Sequence, residues 1–299
     1  MSELPEGILP CQSIERLIET GAIISQTAFG ADQVQPDSLD LRLGARVWRV
    51  RASFLPGLGR TVAARIADVA MHELDLTRGA VLERGCVYIA ELQERLALPP
   101  GVSARANPKS STGRVDVFVR MLTDHSEAFD DVVEGYNGPA FLEIVPQTFS
   151  VLVRSGTRLN QLRLKRGSPA RLSVADVGVA LSDGVAGFRA RRHAGVIDMD
   201  FADGHDPRDF WEPLNPRRGE LLLDPGEFYI LASKQAIEVP VLHAGEMTPI
   251  DPSVGEFRVH YAGFFDPGCG TEETGSVGAK AVLEIRSHET PFILEDGQT

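Results

Sequence analysis

An internal repeat is the feature that most restricts how this chain can fold. Residues 78–89 resemble residues 218–230 in a shared strand-turn-strand pattern. After a gap of one residue the offset is 141 positions, at which Tyr88 meets Tyr229. Two strands with a central Leu-Glu-Ile coincide at the same offset, Ala140-Phe141-Leu142-Glu143-Ile144 and Ala281-Val282-Leu283-Glu284-Ile285. The repeat predicts two β units of one design, although strand-rich segments also resemble one another by chance.

Short strands separated by glycine and proline turns dominate the rest of the pattern. Leu39, Leu41 and Leu43 alternate with polar residues, and closely spaced strands follow. Such a series predicts a mainly β fold, as a barrel, sandwich or jelly roll, with few short helices. Helical spacing over 14–23 predicts one amphipathic helix, and 51–70 resembles an insertion.

The repeat also predicts the domain organisation. We expect a first domain at 1–170 and a second, diverged domain at 171–299, connected by a Gly-, Ser-, Pro- and Arg-containing stretch at 165–193. The second copy is expected to be incomplete, because the counterpart of Leu159-Asn160-Gln161-Leu162 falls beyond Thr299. A missing closing strand would expose a sheet edge.

Composition excludes several classes of protein. The formal net charge is −12, which argues against non-specific nucleic-acid binding but not against a small anionic substrate in a local basic pocket. No apolar run approaches the roughly 20 residues of a membrane-spanning helix, and the N-terminus lacks a signal-peptide pattern. Three separated cysteines without a Cys-x-x-Cys pair favour a reducing compartment. We therefore expect a cytoplasmic protein without membrane or nucleic-acid partners.

A polar turn before a strand is the first candidate binding element. Its sequence is Lys109-Ser110-Ser111-Thr112-Gly113-Arg114, followed by alternating valines. Hydroxyl groups and turn N–H groups bind phosphate oxygens, and a guanidinium binds two oxygens at once. The turn is thus a candidate anion cradle, although polar turns of this kind are also common without a ligand.

A glutamate in an apolar strand is the second candidate. Glu143 lies in Ala-Phe-Leu-Glu-Ile, and a carboxylate in an apolar setting is a better proton acceptor near neutral pH. Its recurrence as Glu284 makes the second copy a candidate contributor. The alternative is that Glu143 points outward on an alternating strand.

Other catalytic patterns are absent from the sequence. His125-Ser126-Glu127 matches half of the zinc deaminase signature, but no Pro-Cys-x-x-Cys follows, so we predict no zinc site. The sequence also has no Gly-x-Ser-x-Gly elbow, and no nucleotide-binding glycine signature in a strand-to-helix setting.

Four ordered stretches in the first 165 residues carry a resemblance to a known family. They are Ser38-Leu39-Asp40-Leu41-Arg42-Leu43-Gly44, Lys109-Ser110-Ser111-Thr112-Gly113-Arg114, Phe141-Leu142-Glu143-Ile144 and Asn160-Gln161-Leu162. These stretches resemble motifs of the deoxycytidine triphosphate deaminases, relatives of the trimeric dUTPases. The whole chain resembles a longer, two-copy bacterial form.

The resemblance implies a fold and a reaction. The fold would be a tandem of dUTPase-like distorted jelly-roll (β-clip) domains. The reaction would convert dCTP to dUTP and ammonia, which supplies dUTP for thymidylate synthesis, with Mg²⁺ accompanying the triphosphate and without zinc. Relatives form trimers, which implies a homo-oligomer here.

The resemblance also implies roles for single residues. Glu143 would take a proton from water and pass it to N3 of cytosine, with Ser111 and Arg114 orienting the reacting groups. Lys109, Ser110 and Ser111 would hold phosphates, and Gln161 would lie near the nucleotide.

The chain departs from the family pattern in both copies. The family's Thr-Ala-His-Arg and Asp-Pro-Gly-Trp are replaced here by Thr123-Asp124-His125-Ser126 and Phe129-Asp130-Asp131-Val132. In the second copy Pro252-Ser253-Val254-Gly255-Glu256 stands where the Ser-Ser-x-Gly-Arg motif is expected, whereas Phe265-Asp266-Pro267-Gly268 keeps the family's turn. Each copy could therefore supply part of one composite site.

Two alternatives stay open at this stage. One is a dUTPase-like diphosphatase. The catalytic strand of that family resembles the segment Gly195-Val196-Ile197-Asp198-Met199-Asp200-Phe201. We interpret the segment 195–201 as the early strand of copy two, equivalent to Ser38-Leu39-Asp40. The other alternative is a non-catalytic nucleotide-binding β protein.

Overall fold

The structure is a computed structural model that describes residues 4–169, 173–181, 184–201, 204–248, 257–259, 263–275, 277–287 and 289–299. The chain forms two compact units. The first contains Met1–Thr112, Val117–Ala170 and Val196–Asp203. The second contains Gly113–Asp116, Arg171–Gly195 and Gly204–Thr299. The predicted division near residue 170 stays a prediction, and two short segments belong by their contacts to the other unit.

Strands make up most of the first unit. Its helices are α1 (Cys11–Glu19) and α2 (Val62–Val69), and the single turn α3 (Ser110–Gly113) ends it at the polar motif. Its strands are β1 (Gly7–Ile8), β2 (Ile23–Ser25), β3 (Leu39–Val50), β4 (Ala70–Asp75), β5 (Ala80–Leu82), β6 (Val87–Ala97), β7 (Val102–Pro108), β8 (Val117–Thr123), β9 (Asp131–Val132), β10 (Asn137–Pro146), β11 (Val151–Val153), β12 (Arg158–Arg166) and β14 (Ile197–Asp198).

A ten-stranded sheet organises this unit, in the order β8-β10-β6-β3-β12-β7-β9 with β1, β2 and β4 attached at its side. A smaller sheet runs β14-β11-β5. The leucines of β3 are fully buried, as the alternation in the sequence requires. Helix α2 lies in the stretch that resembles an insertion, and it buries Val62 and Ile66 against Ile89 and Phe141. The stretch at 51–70 is therefore part of the core.

The second unit has a smaller set of elements. They are β13 (Gly187–Ala190), α4 (Pro207–Phe210), β15 (Trp211–Leu214), β16 (Glu220–Leu223), β17 (Phe228–Ile237), β18 (Gly245–Glu246), β19 (Phe257–Val259), β20 (Phe264–Phe265), a 3₁₀ helix at Glu272–Thr274, β21 (Ala279–Ser287) and β22 (Phe292–Glu295). The main sheet has the order β15-β13-β17-β21-β19, and β16 pairs with β22. Its core contains Leu223, Tyr229, Leu283 and Leu294.

The two units repeat the same strand register. Glu143 lies opposite Ile89 on β6, and Glu284 lies opposite Ile230 on β17, so both partners shift by 141 positions. The turns before β6 and β17 repeat as well. In each, a tyrosine hydroxyl accepts a backbone N–H five residues earlier, at 3.0 Å for Tyr88 and 2.8 Å for Tyr229. The predicted duplication of a mainly β fold is confirmed.

Two interpretations of the sequence need correction. The first helix ends at Glu19, because Gly21 adopts a φ of 76° that reverses the chain, and Ile23 begins a strand. The segment Gly195–Phe201 is not the early strand of copy two. Ile197 pairs in parallel with Val151 of the first unit, whereas β13 pairs with β17 as β3 pairs with β6. The motif resembles a strand locally, but the choice of partner depends on contacts far away in sequence.

The helices of the described residues are all short. Not one of them, within the ranges given above, is long and apolar enough to cross a membrane.

A buried ion pair ties the early strand to the centre of the large sheet. The Glu94 side chain is fully buried and accepts hydrogen bonds from Arg42 Nε at 2.8 Å, the Arg42 backbone N–H at 2.8 Å and Gln33 at 2.8 Å. Removing one partner of such a pair leaves a buried charge without compensation.

We therefore expect Arg42→Ala to lower the free energy of unfolding by about 3–5 kcal/mol. The matched control is Arg46→Ala, because the Arg46–Glu91 pair lies on the same two strands but is 54% and 40% exposed. That control should cost less than about 1 kcal/mol. Urea denaturation followed by circular dichroism measures both, and equal losses would contradict the prediction.

Candidate active site

The polar motif of Lys109 to Arg114 follows directly from strand β7. A single helical turn forms there, in which the Thr112 N–H donates to Lys109 O at 2.9 Å. The predicted late motif lies behind this turn, since β12 pairs with β7. Asn160 Oδ1 accepts the Asn107 N–H at 3.1 Å, and Gln161 Nε2 donates to Pro108 O at 3.3 Å. The structure therefore brings Gln161 to the motif as a support of its backbone.

The cationic group of Lys109 is engaged by a buried carboxylate. Lys109 forms an ion pair with Asp40 of the early strand, and Arg158 Nη1 lies 3.8 Å from the same carboxylate. Arg158 also binds Asp32 at 2.9 Å. Burial raises the pKa of the Asp40 carboxyl, while its hydrogen bond with Lys109 acts in the opposite direction. Sequence reasoning missed both Asp40 and Arg158 as neighbours of Lys109, although Asp40 lies in a motif that it had singled out.

A polar cavity of about 520 Å³ opens beside this ion pair in the first unit. Its lining is Asp32, Gln35, Asp40, Lys109, Ser111, Gly156, Arg158, Met199 and Asp200. This volume lies within the range of small-molecule sites. Lys109 and Ser111 thus face a space of ligand size.

Asp200 reaches the cavity on the segment that the sequence analysis had assigned elsewhere. Arg154 holds this segment through Asp198 at 2.6 Å and Asp200 at 3.1 Å, and Thr157 Oγ1 donates to Asp200 at 2.7 Å. The carboxylates of Asp198 and Asp200 are therefore both engaged in ion pairs.

Glu143 is buried completely on β10, so the alternative that it points outward is wrong. One carboxylate oxygen accepts from Arg120 Nε at 3.0 Å and Nη2 at 2.5 Å. The guanidinium lies 3.5 Å from the ring centroid of Phe129, which fixes it by a cation–π contact. The second oxygen has no hydrogen-bond partner among the described residues. Glu143 is therefore one half of a fixed ion pair.

Glu284 has different surroundings, although it occupies the equivalent position on β21. It lies in the second unit, which also contains the loop Gly113–Asp116. The carboxylate stands directly against Gly113, where a Cβ atom would be 2.7 Å from one oxygen and 2.8 Å from the other. In the part of the chain that the structure describes, Glu284 forms no ion pair. Burial raises the pKa of Glu284 to about 8, with Arg114 lowering it and Asp116 raising it.

A buried ion pair anchors the loop that carries Arg114. Asp116 is fully buried with a φ of 55°, which is unusual for a residue other than glycine. Its carboxylate pairs with Arg286, two residues after Glu284 on β21. Residues two apart on a strand share a face, so Glu284 and Arg286 approach the loop together. The spacing Glu-x-Arg was the available sequence signal for this contact.

The predicted site residues thus divide into two groups. Lys109 and Ser111 line the cavity of the first unit, while Arg114 acts on Glu284 within the second. The Ser110, Ser111 and Arg114 side chains are exposed, as ligand-binding groups require. Glu143 binds Arg120 instead. Within the described ranges, no three His, Cys, Asp or Glu side chains are arranged to hold a metal ion.

Comparison with known proteins places the chain in a family. The sequence profile of the 2'-deoxycytidine 5'-triphosphate deaminase (DCD) N-terminal domain matches residues 5–168, and the profile of the C-terminal domain matches residues 165–299. A dCTP deaminase of Halorubrum lacusprofundi is 30% identical over 152 residues, which cover 50% of this chain and 71% of the relative. A dUMP-forming dCTP deaminase of Coprothermobacter proteolyticus is 27% identical over 133 residues, covering 44% and 66%.

A solved structure extends the similarity to the whole chain. The crystal structure of 2'-deoxycytidine 5'-triphosphate deaminase from Agrobacterium tumefaciens is 50% identical, covers 98% of this chain and 96% of that chain, and superposes with a TM-score of 0.93. With both domain profiles matched in order, this chain belongs to the 2'-deoxycytidine 5'-triphosphate deaminase family.

Proposed function

We propose that this protein hydrolyses dCTP to dUTP and ammonia. The observation that carries the proposal is the Lys109–Arg114 motif. Its Lys109 and Ser111 line a ligand-sized cavity of the first unit, and its Arg114 interacts with the buried Glu284 carboxylate within the second unit. The similarity to an Agrobacterium tumefaciens dCTP deaminase over nearly the full length supports the choice of substrate.

The reaction requires a carboxylate that carries a proton. It takes a proton from water as the water oxygen attacks C4 of cytosine, and the C4=N3 electron pair moves to N3. The carboxylate then gives its proton to N3. A proton passes from the new hydroxyl to the exocyclic amine, the C4–N4 bond breaks, and ammonia leaves as the C4 carbonyl forms. Such a positioned acid/base contributes roughly 10²–10⁴-fold. The two candidates are Glu143 and Glu284.

The remaining motif residues bind and orient the substrate. Ser111 and Arg114 orient the attacking water and the base, because a hydroxyl and a guanidinium donate hydrogen bonds to developing negative charge. Lys109, Ser110 and Ser111 bind the triphosphate, and Gln161 keeps the turn in place. Mg²⁺ enters with the substrate, bound by triphosphate oxygens, which are the hard ligands that it prefers. Binding of the triphosphate requires Lys109 to exchange part of its contact with Asp40.

The setting of the enzyme is also part of this proposal. We place it in the cytoplasm, where dCTP is available, and as a homo-oligomer with a trimer-like assembly of β units. Neither a membrane nor a nucleic acid takes part in the reaction.

One observation favours a second candidate activity. Two relatives, including that of Coprothermobacter proteolyticus, are named as dUMP-forming enzymes, and Asp200 lies on the wall of the cavity with Lys109 and Ser111. An enzyme of that kind would also release pyrophosphate.

The first test is to incubate the protein with dCTP and Mg²⁺ and to measure ammonia and pyrophosphate together. We expect ammonia equal to dUTP formed, without pyrophosphate. Pyrophosphate in equal amount would establish the second activity, and no ammonia at all would contradict the proposed function.

The second test removes the guanidinium of the motif. Arg114→Ala should lower kcat/KM for dCTP by about 10²-fold, because a donor to developing charge is lost. Arg208→Ala is the matched control, since the exposed Arg208 side chain lies in the second unit and forms an ion pair with the neighbouring Asp206. Unchanged turnover in Arg114→Ala would contradict the assigned role.

A further inference from the structure

We infer that Glu284 of the second copy, and not Glu143 of the first, is the group that carries the proton in this reaction. The inference rests on the proposed deamination and names the carboxylate that performs it. It reverses the assignment that the family resemblance implies for Glu143.

The first argument concerns the cationic partner of each carboxylate. Glu143 receives two hydrogen bonds from Arg120, which is itself held against Phe129. This guanidinium holds Glu143 in place through one carboxylate oxygen, so that the side chain is the fixed partner of Arg120. Glu284 forms no ion pair with any described residue, and its burial favours uptake of a proton. Among the described residues, Glu284 is therefore the one of these two glutamates without a fixed cationic partner, and its burial favours the protonated form.

The second argument concerns position. The chain contains one Lys-Ser-Ser-Thr-Gly-Arg loop and two glutamates at equivalent strand positions. The loop segment Gly113–Asp116 packs in the second unit, where the Glu284 carboxylate touches Gly113 and interacts with Arg114. In the sequence, the corresponding second-copy segment has Glu256 near the place of the arginine and lies outside the described residues. Glu284 is thus the carboxylate that accompanies the Lys-Ser-Ser-Thr-Gly-Arg loop.

The third argument is that this position is fixed by the fold. Arg286 binds Asp116, donates to Gly226 O, and lies 5.9 Å above the Phe228 ring. Glu284 and the loop are thereby attached to the same short stretch of β21. Glycine at position 113 leaves room for the carboxylate, since any side chain would overlap it.

The decisive comparison uses two isosteric substitutions in the full chain. Glu284→Gln should lower kcat for dCTP deamination by about 10²–10⁴-fold. Glu143→Gln should keep more than about a tenth of wild-type kcat, because it leaves Glu284 and the Gly113–Asp116 loop unchanged. Circular dichroism checks that this variant folds, since Arg120 loses its carboxylate partner. Exposed Glu273→Gln is the control for loss of a carboxylate in the second unit. Isothermal titration with dCTP and circular dichroism establish that Glu284→Gln still binds and folds.

The outcomes separate this inference from the proposed function. If wild type releases ammonia and Glu284→Gln does too, the assignment is overturned while the function stands. A collapse of kcat in Glu143→Gln alone would restore the first-copy glutamate. A wild-type chain that releases no ammonia would overturn the function and the assignment with it.

A second variant tests position without changing the carboxylate. Gly113→Ala places a methyl group within 2.9 Å of the Glu284 carboxylate carbon, so the carboxylate must move. We expect kcat to fall by about 10²-fold, the cost of misplacing a reacting group by about 1 Å. Gly195→Ala is the control, because its Cβ would meet no atom within 4 Å. Full activity in Gly113→Ala would overturn the inference.

The pH dependence of stability gives a readout that is independent of turnover. The pKa of Glu284 rises from its ordinary 4.5 to about 8 on folding, so the folded chain binds the proton more tightly. The resulting stabilisation is present at low pH and is lost as pH rises through about 8. Thermal denaturation measures the melting temperature of both proteins. As the pH rises from 5 to 8, the melting temperature of wild type should fall relative to that of Glu284→Gln. Arg114 and Asp116 are the charged groups that face Glu284. Glu273→Gln is the control for removal of an exposed carboxylate. A constant difference for Glu284→Gln would overturn the poised state that the inference needs.

Discussion

The register between the two central strand pairs is the constraint on which the structure depends. Every backbone donor and acceptor of a buried strand must be paired, so β6 and β10 lock into one alignment, as do β17 and β21. A slip by one residue would move the apolar side chains to the opposite face. Because both alignments are the same, Glu143 and Glu284 occupy equivalent places in the two units.

The same scaffold position has acquired two different electrostatic environments. On β10 the glutamate lies opposite Arg120 of β8 and forms an ion pair with it. On β21 the glutamate lies beside a glycine of the polar loop, and the arginine two residues later binds that loop through Asp116. Burial raises the pKa of Glu284. The two equivalent glutamates therefore differ in whether a guanidinium is paired with the carboxylate.

Two short segments belong to the unit that is formed mainly by the other half of the chain. Gly113–Asp116 follows the first copy's β7 but packs in the second unit, and Val196–Asp203 comes from the second half but packs in the first unit. The first segment brings Arg114 into the second unit, and the second segment brings Asp200 into the first unit. Each unit therefore contains a short charged segment from the other half of the chain.

The sequence by itself determined the duplication, the mainly β fold and the residues of the polar motif. These properties follow from local signals: an alternation of period two, turn residues at fixed places and a repeat at a constant offset. Only the tertiary structure decided that Asp40 engages Lys109, that Ile197 pairs with Val151, and which glutamate meets the motif. Glu143 and Glu284 are nearly indistinguishable in sequence, because both lie in a Leu-Glu-Ile strand. The groups beside them, Arg120 in one case and Gly113 in the other, come from elsewhere in the chain, and no local pattern carries that information.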